Sequence, residues 1–103
     1  MKEKTPYVTL VDCGDAIQGD TIGTVSQGEF LVDLMNKADY DLAVLGNHEF
    51  DYGMEQLGTL IEKAQAQYLS CNISYTGKGE NGLASVKPYE IITYGTTDVA
   101  FIG

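Results

Sequence analysis

Residues 41–51 read DLAVLGNHEFD, in which a short apolar run gives way at once to glycine and polar side chains. Residues 42–45 contain no polar side chain, as is typical of a strand buried on both faces of a parallel sheet. Asn47, His48 and Asp51 follow directly after Gly46. The stretch therefore predicts a strand whose carboxyl end carries a polar loop, the usual place for ligand-binding groups in an α/β sheet.

Helical periodicity is present on both sides of this strand. Apolar side chains recur every three or four residues over about residues 27–38 and again over about residues 52–67. The first set is Phe30, Leu31, Leu34, Met35 and Ala38, and the second is Leu57, Leu60, Ile61 and Ala64. The strand is therefore predicted to lie between two amphipathic helices, the first of which is broken by residues 39–41.

Two further apolar runs extend the alternation in both directions. Residues 7–11 are predicted to form a buried strand, and residues 68–73 a third one. A loop is predicted from the end of the first strand through Ser26. The order β-α-β-α-β predicts parallel strands joined by right-handed crossovers, and hence an α/β fold.

The rest of the chain predicts a β-hairpin. Residues 76–81 form a glycine-rich loop, and the strand-like residues 89–94 and 98–102 flank a short turn that contains Gly95. The first six residues have mixed charge and no apolar stretch after them, so we predict an N-terminal leader over residues 1–6 that is no secretory signal. Residues 7–103 are predicted to form one domain.

Charge and composition exclude several classes of partner. The 103 residues carry 15 acidic and 6 basic side chains, for a formal net charge of −9. Such a chain is poorly suited to bind nucleic acid, which depends on Lys and Arg to neutralise phosphates. No apolar run approaches the roughly 20 residues of a membrane span. Cys13 and Cys71 lie in apolar runs and are interpreted as small buried residues rather than as a disulfide framework.

Polar groups follow the first and the second predicted strand where each strand ends. Asp15 comes just after the first, and Asn47 and His48 come just after the second. Neighbouring strands lie about 4.8 Å apart, so these side chains converge if the two strands are adjacent. A carboxylate, an amide oxygen and an imidazole together suit a divalent metal such as zinc or manganese.

Asp51 has two interpretations. Its carboxylate could orient the imidazole of His48 and favour the protonated ring, which would stabilise charge on a phosphate or protonate a leaving oxygen. It could instead cap the helix that is predicted to begin near Tyr52. The two roles are compatible.

Two motifs in this order resemble those of the 5′-nucleotidase family of calcineurin-type metallophosphoesterases. Residues 14–19, GDAIQG, resemble the family pattern Gly-Asp-x-x-Gln-Gly, and residues 46–51, GNHEFD, resemble Gly-Asn-His-Glu-Phe-Asp. The third strand and the end of the hairpin are similar to the next segments of the family. The resemblance covers nearly the whole chain from Tyr7 and implies an incomplete part of a four-layer α/β/β/α metallophosphoesterase fold.

The resemblance also implies a reaction and a set of site residues. The reaction would be hydrolysis of a nucleotide phosphate ester, with nucleoside monophosphates, cyclic nucleotides or nucleotide-sugars as substrates in the family. Asp15 would bridge two divalent metal ions, and Asn47 would bind one of them and the phosphate. His48 would be the catalytic histidine and would contact the phosphate, with Asp51 as its partner.

The chain differs from the family pattern in the ligands that it contains. It has a single histidine, whereas the family also uses an Asp-x-His motif, a Gly-His-x-His motif and a separate substrate-binding domain. Only Asp15 and Asn47 remain of the metal-ligand set, so we expect weak or partial metal binding and no turnover by the chain alone. A missing first strand would leave a sheet edge open, which predicts a homo-oligomer.

Two other interpretations stay open from the residues alone. One is a non-catalytic binding or assembly module that retains the fold. The other is a simple divalent-cation site with no catalytic role. Family members are commonly secreted or bound to the cell surface, but nothing in these residues indicates a compartment.

Overall fold

A computed structural model describes residues 7–17, 19, 21–76 and 83–103. The predicted leader over residues 1–6 and most of the glycine-rich loop therefore lie outside the described residues. The helices and strands, in chain order, are β1 (Val11–Asp12), α1 (Thr21–Ser26), α2 (Glu29–Ala38), β2 (Leu42–Val44), a 3₁₀ turn (Asn47–Phe50), α3 (Met54–Lys63), β3 (Gln67–Leu69), β4 (Tyr89–Tyr94) and β5 (Thr97–Ile102).

The three predicted strands of the β-α-β-α-β unit form one parallel sheet in the order β1-β2-β3. Val11 is paired with Leu42 in β2, and Leu42 is paired with Gln67 in β3. The predicted parallel sheet is thus confirmed, and the first two strands are neighbours in it. Their carboxyl ends consequently lie side by side at one edge of the sheet.

One face of the sheet is covered by α2 and α3. Met35 from α2 and Leu57 and Ile61 from α3 belong to one buried cluster with Ala43 of β2 and Tyr68 of β3. Burying each large apolar side chain contributes about 1.5–3 kcal/mol. The spacing of Leu57 and Ile61, four residues apart, places both on the same face of α3, so the predicted amphipathic face is the one that packs.

The hairpin of β4 and β5 is antiparallel, with Tyr89 opposite Ile102 and Tyr94 opposite Thr97. Its two strands match the prediction to within one residue. A bridge between Lys87 and Leu69 attaches the start of the hairpin segment to the outer edge of β3. Within the described part of the chain, no strand pairs with the outer edge of β1.

Three predictions about local structure are wrong, and the third strand, Gln67–Leu69, is also shorter than the predicted residues 68–73. The first strand is much shorter than residues 7–11, and Tyr7 and Val11 are exposed, because β1 lies at the edge of the sheet. The loop predicted through Ser26 contains α1, which forms despite a glycine and β-branched residues, since propensity is only a weak constraint. Cys13 and Cys71 are both exposed and free, because each lies beyond the end of a strand.

The helix predicted over about residues 52–67 is shorter at both ends. Gly53 precedes it with φ 88° and ψ 164°, a backbone conformation that is essentially restricted to glycine. Ala64 ends it in an extended conformation. The residues before Gly53 form the separate 3₁₀ turn, and this turn carries the polar motif.

Candidate functional site

The loops that follow β1 and β2 meet at the carboxyl edge of the sheet. Their backbones approach each other closely at Gly14 and Gly46, where a Cβ on Gly14 would lie only 2.9 Å from the Gly46 nitrogen. Gly14 also has a φ of 97°, which favours glycine. These two positions therefore need the absence of a side chain for the loops to come together.

The carboxylate of Asp15 lies directly against the second loop. Its Oδ1 accepts a hydrogen bond of 2.9 Å from the backbone N–H of His48. A Cβ on Gly46 would lie 2.2 Å from the same oxygen, so the carboxylate occupies the space that any larger residue would fill. Asp15 itself has a φ of 61°, a left-handed conformation that aspartate tolerates better than most residues.

The sequence-predicted residues Asp15, Asn47 and His48 are thus brought to one place, and all three are exposed there. Asn47 opens the 3₁₀ turn, and His48 follows it on the same turn. A ligand approaching the carboxyl edge of the sheet can therefore reach the carboxylate, the amide and the imidazole.

His48 and Asp51 form a hydrogen-bonded pair. The distance between Nδ1 of His48 and Oδ2 of Asp51 is 2.7 Å. The hydrogen bond that Asp51 accepts from the ring, then the charge of that carboxylate, raises the pKa of His48 above its ordinary value of 6.5, with smaller contributions from Asp15 and Glu49. The pair therefore favours a protonated imidazole with Nδ1 facing Asp51 and Nε2 available to a ligand.

The capping interpretation of Asp51 is wrong. The helix that follows begins at Met54, and its N-cap residue is Gly53, with no side-chain hydrogen bond to the cap. Asp51 instead ends the 3₁₀ turn, where its backbone N–H donates to the carbonyl of His48. The carboxylate of Asp51 is hydrogen-bonded to the imidazole of His48.

Glu49 is a site residue for which no role was predicted from the sequence. It is 1% exposed, and its carboxylate accepts hydrogen bonds from the backbone N–H groups of Asp15, Ala16 and Gly46. The signal that could have identified it is its position three residues after Gly46, where a glutamate often accepts from the N–H that opens a helical turn. The local sequence does not indicate that Glu49 also binds the backbone of the loop after β1.

Negative charge is concentrated around this edge of the sheet. Burial, and then the charges of Glu49 and Asp12, raises the pKa of the buried Tyr68. The carboxylates of Asp15 and Asp51 add to the charge at the surface. A cation at this edge would therefore be attracted, whereas a bare phosphate would be repelled.

The donors fit a divalent metal in kind but not in number. Among the described residues, Oδ1 of Asp15 accepts a hydrogen bond from the backbone of His48 alone, so the carboxylate has capacity left for a metal, and Asn47 adds a neutral oxygen. In the described residues, however, no group of three or more His, Cys, Asp and Glu side chains could hold an ion. Two protein donors leave most coordination positions to water or to other ligands.

Sequence comparison identifies relatives along the whole chain, although the chain matches no family model. It is 36% identical to bovine 5′-nucleotidase over 105 aligned residues, which is 100% of this chain and 18% of that protein. The chain therefore spans about a fifth of the length of the curated relatives that it matches.

Structure comparison gives the same result. The NAD nucleotidase of Haemophilus influenzae superposes with a TM-score of 0.86 at 32% identity, over 98% of this chain and 20% of that one. A 5′-nucleotidase precursor from Thermus thermophilus superposes with a TM-score of 0.82 at 28% identity, over 99% and 20% of the two chains. The mixed α/β fold, with its parallel sheet and its hairpin, is therefore the one found in these metallophosphoesterases. Across the described residues, no helix has the length and apolar character needed to cross a membrane.

Proposed function

The chain belongs to the 5′-nucleotidase family of metallophosphoesterases, and we propose that it contributes two ligand-bearing loops to a metal-dependent phosphate-ester hydrolase. The observation that carries the proposal is the contact between the loops, in which Oδ1 of Asp15 accepts from the N–H of His48 at 2.9 Å. This contact brings a carboxylate, an amide and an imidazole together at the carboxyl edge of the sheet, where α/β proteins bind ligands.

Asp15 and Asn47 would hold the metal. A carboxylate can bridge two divalent ions, and an amide oxygen can bind one of them without adding charge that repels phosphate. Zinc or manganese ions bound here would neutralise the phosphate and activate water. With only these two donors, the binding by this chain is weak or partial.

His48 and Asp51 would act on the phosphate. The hydrogen bond at 2.7 Å fixes the orientation of the imidazole, and the raised pKa of His48 keeps the ring protonated closer to neutral pH. A protonated Nε2 can donate a hydrogen bond to a phosphate oxygen and can supply a proton to the leaving oxygen. Asn47, next to it on the 3₁₀ turn, would contact the same phosphate.

The substrate is a nucleotide or a related phosphate ester. This class follows from the names of the relatives, a 5′-nucleotidase and an NAD nucleotidase. The net charge of −9 and the absence of arginine are consistent with a small phosphorylated substrate held through metal, and not with a nucleic acid.

These residues by themselves do not complete the site. The chain has one histidine, and the metal donors proposed among its described residues are Asp15 and Asn47, so we expect no turnover of AMP by the chain alone in Mn²⁺. Turnover that is lost in His48→Ala would contradict this expectation. A non-catalytic binding or assembly module is the second candidate, and it is favoured by the shortage of metal donors in the described residues.

Metal binding tests whether Asp15 belongs to a specific metal site. We expect the chain to bind Mn²⁺, measured by electron paramagnetic resonance, and Asp15→Asn to weaken that binding. Glu62→Gln is the matched control, because it removes the same charge from the C-terminal end of α3, away from the carboxyl ends of the strands. Equal effects of the two substitutions would indicate general attraction to an acidic protein and would reject the site.

The open edge of the sheet is proposed to mediate self-association. The outer edge of β1 is paired with no strand among the described residues, and its Val11 side chain is exposed. Unpaired edges offer N–H and C=O groups to a second copy. Light scattering should therefore detect a dimer or a larger species, and a monomer at every concentration would reject this proposal.

A further inference from the structure

Glu49 is a buried charge among backbone donors from two loops. It is the charged side chain with the least exposure in the described part of the protein, at 1%. Oε2 accepts from Gly46 N–H at 2.8 Å and from Asp15 N–H at 2.9 Å, and Oε1 accepts from Ala16 N–H at 3.2 Å. One carboxylate oxygen thus joins the loop after β1 to the loop after β2.

The chemistry of the carboxylate matches this arrangement. An ionised carboxylate only accepts hydrogen bonds and can receive several at once, whereas an amide replaces one oxygen with an N–H donor. Burial of an unpaired charge is strongly unfavourable, and three charge-assisted hydrogen bonds offset that cost here. A neutral side chain of the same size could not receive all three N–H groups.

The position of Asp15 depends on the same contacts. Its backbone is in a left-handed conformation, and its N–H is bound by Glu49 while its Oδ1 accepts from the N–H of His48. Glu49 and His48 are neighbours on the 3₁₀ turn, so both ends of the Asp15 residue are attached to that turn. The turn thereby sets where the Asp15 carboxylate lies relative to Asn47.

We propose that Glu49 is the positioning residue of the site, which fixes the Asp15 carboxylate against Asn47 and His48 without itself touching metal or substrate. This inference rests on the proposed metal-binding function. Glu49 acts through the three N–H groups that it binds, so its removal lets the first loop move away from the second. Sites of this kind lose ligand affinity when their supporting contacts are removed.

Amide hydrogen exchange by NMR, in the absence of metal, tests whether Glu49 holds the two loops together. In Glu49→Gln, exchange should become at least about tenfold faster at Asp15, Ala16 and Gly46, relative to the core amides of α3. Glu49→Asp keeps the charge but is one methylene shorter, so we expect an intermediate effect, and it carries the comparison if Glu49→Gln does not fold. Ile61→Val is the control, because it lowers stability from the core and should change loop and core exchange by the same factor.

The same variants are then titrated with Mn²⁺. Glu49→Gln should bind at least about tenfold more weakly than the wild type, and Ile61→Val should bind equally well. An unchanged exchange rate in the loops, or an increase no greater than in the core, would overturn the inference that Glu49 holds the two loops together. Faster loop exchange with unchanged Mn²⁺ affinity would overturn the positioning role alone, whereas no Mn²⁺ binding by the wild type would reject the proposed function and the positioning role with it.

Discussion

Gly46→Ala is the substitution for which the structure gives the clearest magnitude. The new Cβ would lie 2.2 Å from Oδ1 of Asp15, which falls 0.8 Å short of the 3.0 Å below which real Cβ contacts essentially do not occur. Gly46 has a φ of −94°, so alanine fits the backbone and the effect comes from contacts with Asp15, whose Cγ and backbone nitrogen would also lie 2.9 and 3.0 Å from the new Cβ. The Asp15 carboxylate must therefore move by about 0.8 Å or more, beyond the roughly 0.5 Å within which a functional group has to be held.

Two measurements follow for this variant. The clash should cost about 1–3 kcal/mol in the free energy of unfolding, which is the usual range for overpacking, measured by urea denaturation. The displacement should weaken Mn²⁺ binding at least about tenfold, which corresponds to about 1.4 kcal/mol. Gly46 does not coordinate metal through a side chain, so a loss of affinity can only arise through its neighbours.

Gly53→Ala is the matched control. Gly53 has a glycine-only backbone conformation, and its substitution should cost a similar 1–3 kcal/mol or so through backbone strain. A Cβ there would meet nothing within 4 Å, so the Asp15 carboxylate stays in place and the Mn²⁺ affinity should not change. Equal Mn²⁺ affinities of Gly46→Ala and the wild type would refute the reasoning, as would an equal loss in both alanine variants.

Three further outcomes are expected. Asp51→Asn should lower the pKa of His48, which can be measured from the ring signals of His48 in NMR. Because folding raises this pKa, the stability that the pair contributes is fully present below pH 6.5 and is lost as the pH rises through the raised value. The wild type should therefore be more stable than the variant to urea at about pH 5.5 but not at about pH 8.5. Equal pKa values in the two proteins would contradict the pairing. Leu57→Ala should cost about 2–5 kcal/mol in urea denaturation, against about 0.5 kcal/mol or less for the exposed Leu34→Ala, and similar losses would contradict the packing of α3. Tyr68→Phe should leave the spectrophotometric tyrosine titration of the folded protein unchanged, since the pKa of Tyr68 is raised by burial, and a smaller amplitude in the variant would show that this phenol ionises.

The order of strands and helices could be predicted because each element has a clear apolar pattern. The residues that pack α3 onto the sheet are those that recur at helical spacing, and the parallel order follows from the alternation of strands and helices. The short length of β1 could not be predicted in this way, because an apolar run does not indicate whether a strand lies at the centre or at the edge of a sheet. The helix α1 has no amphipathic signal of its own.

The meeting of the two loops could be predicted from topology, but the way in which they are attached could not. Parallel neighbours place Asp15 and His48 at one edge whatever the side chains do. Glu49 contradicts the general expectation that an acidic residue is exposed, and only the fold reveals that three backbone N–H groups surround it. The prediction for the two cysteines erred in the opposite direction, since an apolar neighbourhood in the sequence did not correspond to burial.

Paramagnetic broadening by Mn²⁺ tests most directly whether the two loops form one metal site. Substoichiometric Mn²⁺ is added to the ¹⁵N-labelled chain, and the loss of each amide signal is followed. The signals of Asp15, Asn47 and His48 should disappear together and before the others, and the corresponding signals should be retained in Asp15→Asn. Broadening of one loop without the other, or uniform broadening over the acidic surface, would contradict this prediction.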